Sequence, residues 1–304
     1  KKQKKTVEKL EKEQLPKLQE YEKHLENLGD RNSYSKIDTD ATFMRMKEDH
    51  MKNGQLKAAY NVQISTENQI ITHFSVHQKS TDFTTLESHL EGFKNAYDKT
   101  SKQIIADAGY GSEENYQMLE QQQMEFFIPY NMYRMEQKRK HKNNLFHTQN
   151  LYHNIELDFL VCPMGQRMEK IYTKESKTTT GFLQQHSVYQ AQNCQGCPMR
   201  GQCFNAKGNR RIEINHNLQR LKAKARENLE NKEGKEIYAK RCIEPEPVFG
   251  NIKQNKHFKR FSLRKLTKIN IEFGLVAIAH NFAKWIEKIR LLGFIQNHRV
   301  IECF

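Results

Sequence analysis

The order of secondary-structure elements between residues 60 and 129 constrains the fold more than any other feature. Two runs of alternating apolar and polar residues flank a short polar turn, which predicts a β-hairpin. Helical and strand patterns then alternate along the chain. The predicted elements are strands at 60–65 and 69–76, a helix at 83–97, a strand at 102–106, a helix at 113–122 and a strand at 125–129. This order predicts a mixed α/β fold.

Asp107 directly follows the predicted strand 102–106, which we expect to be short and fully buried. Gly109 and Gly111 then open the turn into the next helix. Open α/β sheets bind their ligands beyond the carboxyl ends of parallel strands, so Asp107 is a candidate ligand-binding carboxylate. The alternative is an aspartate that only caps the turn after its strand.

A second candidate carboxylate is Glu246, in the stretch 234–253. Pro245 and Pro247 bracket it, and proline at the first helical position costs no hydrogen bond, so the pattern predicts a helix that begins here. On that helix Lys253 lies on the same face, two turns or roughly 10 Å away. A metal-binding acid with a lysine at this distance suits a phosphodiester substrate. An ordinary surface helix with an acidic first turn explains the pattern equally well.

These two acidic segments resemble motifs of bacterial insertion-sequence DDE transposases. The first is residues 104–115, Ile-Ile-Ala-Asp-Ala-Gly-Tyr-Gly-Ser-Glu-Glu-Asn, which is similar to the segment around the family's middle carboxylate. The second combines a tyrosine, arginine, glutamate and lysine signature with the sequences at 258–264 and 277–282. Its signature residues here are Tyr238, Arg241, Glu246 and Lys253. The gap between Arg241 and Glu246 is one residue longer than usual, Glu244 is a nearby competitor, and Arg264 and Lys265 replace the family's basic-glycine pair.

The resemblance implies a ribonuclease H-like mixed sheet and metal-dependent cleavage and transfer of DNA strands. Asp107 and Glu246 would bind Mg²⁺ or Mn²⁺, and Lys253 would bind a phosphate near the cut. The family's first carboxylate lies in an Asp-Gly-Thr-like sequence that does not occur here, so we expect it upstream of Lys1, with Asp38 and Asp40 as fallback candidates. The chain alone is then expected to bind DNA without cutting it. The alternative is a non-catalytic, DNA-binding remnant of a transposase.

Four cysteines form a further candidate site, with 31, 2 and 5 residues between successive members. The short Cys194–Cys197 loop lets two sulfurs reach adjacent corners of a tetrahedron, and Cys162-Pro-Met-Gly predicts a knuckle-like turn. With Cys203 the set would close the shell of a structural Zn²⁺ in a zinc-ribbon-like insertion. We expect zinc because residues 150–215 hold few apolar residues for a core of their own. Unliganded thiols and an iron–sulfur cluster are the alternatives.

The charge of the chain indicates a polyanionic partner. The formal net charge is +14 and the isoelectric point is about 9.4, which favours nucleic acid first and an anionic membrane surface second. The sequence contains no apolar run of about 18 residues, the length that predicts a membrane span. The cysteines are bunched, which agrees with a reducing compartment. We therefore expect a cytoplasmic protein, and from its charge one that binds double-stranded DNA. The family generally acts as dimers, which implies a homodimer. The candidate DNA contacts are Tyr238, Arg241, Lys253, Lys256, Lys259, Arg260 and Arg264.

The sequence divides into four predicted segments. Residues 1–30 form a helical arm with a narrow leucine stripe, residues 31–131 the first part of the catalytic core, residues 132–233 a basic and cysteine-rich insertion, and residues 234–304 the helical region that completes the core. Residues 31–57 show little periodicity and are predicted to be a connection. For the arm, a solvated helix that packs one edge on the core is favoured over a coiled coil, because its heptads are not strict.

Overall fold

The structure of the chain is a computed structural model that describes residue 7, residues 9–46 and residues 53–299, with the backbone alone for residues 291–299. The chain divides into two compact units. The first unit combines Lys1–Thr100 with Lys240–Phe304, and the second is Ser101–Ala239. Both contain helices and sheets, so the expected mixed α/β class is confirmed.

In the first unit, a helical arm precedes two antiparallel strand pairs. The arm is a π-helical turn, Leu10–Gln14, followed directly by helix α1, with Pro16 in its first turn, where it costs no hydrogen bond. None of the arm's described residues is buried. The remaining elements of this part of the unit are α1 (Leu15–Leu28), β1 (Thr42–Arg45), β2 (Leu56–Ala59), β3 (Asn61–Glu67), β4 (Ile70–His77) and α2 (Leu86–Tyr97).

The strands of the first unit agree only in part with the sequence. The β3–β4 hairpin confirms the predicted one, with Val62 opposite Val76. Strand β1 and the first two residues of β2, which pair with each other, lie in the stretch 31–57 predicted to be a connection, and that prediction was wrong. These four-residue strands are too short to show a clear alternation.

The end of the chain forms a short helix α9 (Pro245–Gly250), a π-helical turn (Asn251–Asn255) and a long helix α10 (Leu266–Arg299). Helix α10 packs on β4, where Phe273 contacts Phe74 with ring centroids 5.2 Å apart. The Asn281 side chain forms two hydrogen bonds of 2.8 Å with the backbone N–H and C=O of Ile71. The motif residue Asn281 thus anchors the helix to the hairpin.

The opposite face of α10 is also apolar, and it is exposed. Its large side chains recur every four and three residues and are 49–64% exposed. They are Ile271, Leu275, Ile278, Phe282, Trp285 and Ile289. The described helices include none that is long and apolar enough to cross a membrane.

In the second unit, strands β5 (Gln103–Ile105) and β6 (Glu125–Phe127) pair in parallel around helix α3 (Glu113–Gln121). This order confirms the predicted strand, helix and strand. The first strand is shorter than expected and is not fully buried, because Gln103 is exposed and Ile104 and Ile105 are only half-buried. The hairpin β3–β4 and the parallel pair form separate sheets, and the ribonuclease H-like arrangement remains a prediction.

The cysteine-bearing part of the second unit is a five-stranded antiparallel sheet in the order β11-β10-β9-β8-β7. It contains a core of its own, in which Met168, Tyr189 and Leu160 are at most 1% exposed. The expectation that this region lacks apolar residues for a core was therefore wrong. The strands are β7 (Tyr152–Asn154), β8 (Phe159–Val161), β9 (Arg167–Lys177), β10 (Leu183–Ala191) and β11 (Arg211–Ile214).

Five further helices of the second unit precede, interrupt or follow the strands of this sheet along the chain. The basic stretch after β6 forms two one-turn helices, and two longer helices follow β11. In chain order they are α4 (Tyr133–Glu136), α5 (Arg139–Lys142), α6 (Arg200–Cys203), α7 (His216–Glu230) and α8 (Lys232–Ala239). Leu229 of α7 and Ile237 of α8 pack against Phe127 of β6.

Candidate functional site

Asp107 lies two residues beyond β5 and caps a single 3₁₀ turn. Its Oδ1 accepts a hydrogen bond of 2.8 Å from the backbone N–H of Gly109, and the residue is half-buried. The capping role considered from the sequence is therefore present. It uses one carboxylate oxygen for a local bond, and a capping carboxylate can still coordinate a cation through its other oxygen.

The turn after Asp107 requires a glycine at position 111. A Cβ atom there would lie 2.5 Å from the carbonyl oxygen of Pro129 and 2.9 Å from the Cα of Tyr130. Tyr116 braces the same place, because its buried hydroxyl donates to the carbonyl of Ile128 at 2.8 Å. The loop that carries Asp107 is thus packed closely on the segment after β6.

Glu246 lies in the first turn of α9, as predicted, with proline at the start of that helix. Its Oε1 accepts a hydrogen bond of 2.5 Å from Nη2 of Arg241, and its side chain is 50% exposed. The Lys253 ammonium lies 5.5 Å from the centroid of the Phe249 ring, a cation–π distance that shows these two side chains on one helix face. The hydrogen bond between Arg241 and Glu246 shows that the gap of one extra residue does not keep the arginine from the glutamate.

Glu244, the nearby competitor, has a different environment. Its carboxylate accepts the backbone N–H of Gln69 at 2.8 Å, and the Gln69 side chain donates to the carbonyl of Ile243 at 2.9 Å. Glu244 is thus bound to the turn of the β3–β4 hairpin. Glu246, in contrast, accepts its hydrogen bond from a cationic side chain, that of Arg241.

Asp38 and Asp40, the fallback carboxylates, cap the start of helix α10. Asp40 Oδ2 accepts the N–H of Leu266 at 2.9 Å, and Asp38 Oδ1 accepts that of Lys265 at 3.1 Å. Asp38 Oδ2 also accepts the hydroxyl of Tyr60 at 2.8 Å, and burial with this hydrogen bond raises the pKa of Tyr60. Both carboxylates satisfy backbone donors that a helix start leaves unpaired.

The basic segment 256–265 between α9 and α10 carries most of the candidate DNA contacts. Its backbone is fixed by acids, because Glu272 also accepts the N–H groups of Ser262 and Leu263 at 2.8 and 3.0 Å. Phe258 and Phe261 pack edge to face and contact the core. The cationic side chains are exposed; they are Lys256, Lys259, Arg260, Arg264 and Lys265.

Tyr238 lies in the other unit from the rest of its signature. It is half-buried on α8 and packs against the cluster of Phe127, Leu229 and Ile237. Asp107 also belongs to the second unit, whereas Glu246 and Lys253 belong to the first. A shared site for Asp107 and Glu246 therefore remains a prediction from the sequence.

The four cysteines of the predicted zinc site are free and half-buried. Arg210 contacts two of them, because its backbone N–H donates to Cys194 Sγ at 3.4 Å and its Nη1 to Cys203 Sγ at 3.0 Å. Within the described part of the chain, however, no three cysteine sulfurs lie within 4.8 Å of one another. In a tetrahedral shell with Zn–S bonds of about 2.3 Å, all sulfurs lie closer than this. The sulfurs as placed do not fit a closed zinc shell, and the four-thiolate site stays a prediction.

One group of metal-ligand type was missed by the sequence analysis. Among the described residues, His153, Asp158 and His216 are the only such group of three whose ligand atoms all lie within 4.8 Å of one another. They come from the middle of β7, the turn before β8 and the first residue of α7. The separation of His216 from the other two along the chain hides the group, and only the close pair His153 and Asp158 could have signalled it.

Comparison with known proteins gives one match. No curated protein and no solved structure matches the chain. Residues 161–286 match the family model of the transposase DDE domain, a range that includes the four cysteines, Glu246 and Lys253. This match supports a DDE transposase.

Proposed function

We propose that the chain acts in DNA transposition as an insertion-sequence transposase of the DDE type. The family match over residues 161–286 supports this proposal together with the two acidic motifs. The observation that carries it is the environment of Glu246, a half-exposed carboxylate at a helix start, hydrogen-bonded to Arg241 and followed by exposed cations. The subgroup with a cysteine-rich insertion and the action as a homodimer are parts of the same proposal.

Asp107 and Glu246 are the proposed ligands of a divalent cation. Both carboxylates are accessible, since Asp107 is half-buried and Glu246 is half-exposed, and oxygen ligands suit Mg²⁺ and Mn²⁺. Such an ion would supply activation of a water or 3′-hydroxyl and stabilisation of the leaving oxygen in attack on a phosphodiester. Because the two residues belong to different units, their use in one site rests on the motif resemblance.

The chain's own cations would orient the DNA. Lys253 lies along the helix from Glu246 and would bind a phosphate near the cut, while Arg241 orients the Glu246 carboxylate through Oε1. The basic segment 256–265 is suited to contact the DNA backbone, because acids and aromatic packing fix its main chain and its cations face solvent. Ordering this segment in advance lowers the entropy cost of binding.

Salt dependence of DNA binding tests this assignment. If Lys253, Lys256, Lys259, Arg260 and Arg264 each contact one phosphate, log K should fall with log[salt] with a slope of about −4.5, or about 500-fold between 50 and 200 mM salt. The double variant Lys259→Gln, Arg260→Gln should reduce the slope by about 2. The matched control Lys79→Gln, an exposed lysine outside the segment, should leave it unchanged. A slope reduced by about 1 in Lys79→Gln, half the change in the double variant, would show that only the overall charge matters.

Metal-directed backbone cleavage tests the carboxylates without requiring catalysis. Fe²⁺ in place of Mg²⁺, with ascorbate and peroxide, cuts a chain near its binding site. Cuts near both Asp107 and Glu246, each lost in Asp107→Asn or in Glu246→Gln, would support a shared ion. The control Glu244→Gln should retain the cuts, since that acid is bound to the hairpin turn. Cuts near one residue that survive replacement of the other would contradict the shared site.

We further propose that this 304-residue chain binds DNA but does not cut it. No Asp-Gly-Thr-like sequence occurs in it, and both carboxylate oxygens of the fallback Asp38 already accept hydrogen bonds, from Lys265 N–H and the Tyr60 hydroxyl. Mg²⁺- or Mn²⁺-dependent nicking of plasmid DNA by the chain, abolished by Asp40→Asn, would contradict this. The second candidate function, a non-catalytic DNA-binding remnant, is favoured if Fe²⁺ produces no cuts while DNA binding is retained.

A further inference from the structure

The cluster of His153, Asp158 and His216 brings together three separate parts of the second unit. His153 lies in the short edge strand β7 and Asp158 in the turn before β8, with a positive φ of 47°. His216 is the first residue of α7, directly after β11 at the other edge of the sheet order. The cluster therefore joins the first hairpin of the sheet to the helix that follows its last strand.

The side chains of the cluster face one another at close range. His153 Nε2 lies 3.5 Å from Asp158 Oδ1, and the two imidazole rings stack with centroids 5.3 Å apart. The Tyr189 hydroxyl, from β10, lies 2.5 Å from Asp158 Oδ1 and 2.8 Å from His216 Nε2. The tyrosine is buried in the sheet core, so its hydroxyl position is fixed by packing.

We propose that His153, Asp158 and His216 form a binding site for a first-row transition-metal ion, with Zn²⁺ as the preferred occupant. Two imidazole nitrogens and one carboxylate oxygen are ligands that zinc accepts, at about 2.0–2.2 Å each. Their mutual distances, all within 4.8 Å, need only small side-chain movements to reach that shell. The ion would displace the Tyr189 hydroxyl from Asp158 Oδ1, and His216 would bind it either through Nδ1, with Tyr189 still on Nε2 as an outer group, or through Nε2 in place of the tyrosine.

The surroundings of the cluster determine how each ligand would bind. Lys170 forms an ion pair with Asp158 Oδ2 at 3.0 Å, and the Tyr189 hydroxyl donates to Oδ1. A metal would therefore bind Oδ1 in place of the tyrosine, and the carboxylate would be a single-oxygen ligand. The ammonium group of Lys170 opposes a cation, so its removal should strengthen binding.

The ion would fasten the edge of the sheet to α7. This role differs from that of the predicted four-thiolate site, because it uses nitrogen and oxygen ligands and none of the cysteines. It is also independent of the proposed transposase activity, which uses Asp107 and Glu246. The competing explanation is a hydrogen-bonded polar cluster that binds no ion.

Cobalt titration of the whole, reduced, chelator-treated chain tests the proposal. Co²⁺ on two histidines and an aspartate gives weak visible bands without the intense near-ultraviolet band of a cobalt–thiolate bond. We expect these weak bands for the unsubstituted chain, with displacement by Zn²⁺. His216→Ala should lower the affinity at least tenfold, and so should Asp158→Asn, which keeps an acceptor for Tyr189 and so guards against misfolding. The matched control His186→Ala, on β10 but outside the cluster, should bind as the unsubstituted chain does.

The variant Lys170→Met distinguishes a metal-binding site from a hydrogen-bonded polar cluster that binds no ion. It should raise the affinity for Zn²⁺, because it removes a positive charge 3.0 Å from the ligand carboxylate. Absence of the weak visible bands, or an affinity unchanged in both His216→Ala and Asp158→Asn, would overturn the proposal. Bands of the thiolate type alone would also overturn it and would place the ion at the cysteines.

Discussion

Replacing Asp40 with alanine should loosen the start of helix α10 without unfolding the unit. The Asp40 carboxylate accepts the N–H of Leu266, the first residue of that helix, at 2.9 Å. Loss of an acidic N-cap costs about 1 kcal/mol, through the lost hydrogen bond and the lost interaction with the helix dipole. A local opening made easier by about 1 kcal/mol exchanges amide hydrogen about fivefold faster.

Hydrogen exchange measured by mass spectrometry on peptides that begin near Leu266 is the direct assay. Asp40→Ala should speed exchange there, whereas Asp40→Asn, which keeps a hydrogen-bond acceptor, should have the smaller effect. Asp30→Ala is the matched control, because Asp30 is exposed at the end of the arm. Arg31 donates to the carbonyl of Asp40 at 2.9 Å and fixes this segment, so the carboxylate has a defined position.

The result that would refute this reasoning is unchanged exchange at the helix start in Asp40→Ala. Asp38→Ala extends the test, because it removes acceptors for both Lys265 N–H and the Tyr60 hydroxyl. Leaving a half-buried hydroxyl without its partner adds about 1 kcal/mol or more, so Asp38→Ala should be the more destabilising variant. If Asp38→Ala proves the milder, the hydroxyl contact contributes little.

Three further predictions concern stability. Gly111→Ala should lower the free energy of unfolding by about 1–3 kcal/mol, because the added methyl group meets backbone atoms at 2.5 and 2.9 Å. The control Gly201→Ala has open space around the added methyl group and should not lower it. Denaturant unfolding measures both variants. Burial, and then neighbouring histidines, lower the pKa of His89 to about 3. Because the unfolded chain takes up the proton first, the free energy of unfolding should fall by about 2 kcal/mol from pH 7 to pH 5. His89→Gln should flatten this pH profile. The Tyr189 hydrogen bond lowers the pKa of Asp158 to about 2. The ionised Asp158 carboxylate therefore stabilises the fold above about pH 4, and this stabilisation is lost as the pH falls toward 2. Acid unfolding of Asp158→Asn should lack this step.

The sequence predicts those parts of the fold whose pattern is local. The β3–β4 hairpin follows from alternation on both sides of a polar turn, and helix α3 follows the turn that Gly109 and Gly111 open. The parallel pairing of β5 and β6 follows from a helix between two strands. The capping role of Asp107 could also be anticipated, since aspartate after a strand commonly bonds the next turn.

The five-stranded sheet could not be predicted, because most of its strand positions are polar. In β9 only Met168 is fully buried among eleven residues, so counting apolar residues underestimates the core. A single buried residue from β9 suffices because neighbouring strands add Leu160, Tyr189 and Ile212 to the same core. The register of the strands decides which positions turn inward, and register depends on pairings distant in sequence.

The candidate sites show the same division. Local spacing predicts the helix start at Glu246 and the approach of Lys253 to the Phe249 ring one turn earlier. The cluster of His153, Asp158 and His216 depends on the sheet that brings β7 near the start of α7, and spacing along the chain contains no sign of that. The caps formed by Asp38 and Asp40 likewise join residues more than 200 positions apart.

The exposed apolar face of helix α10 has a practical consequence for solution studies. The chain contains a single tryptophan, and that residue, Trp285, lies on this face with 59% of its surface exposed. Its fluorescence therefore reports on the outer face of one helix and on no other part of the protein. Any protein surface that covers the face should shift the emission to shorter wavelength and shield it from iodide, whereas DNA bound along residues 256–265 alone should leave the spectrum unchanged.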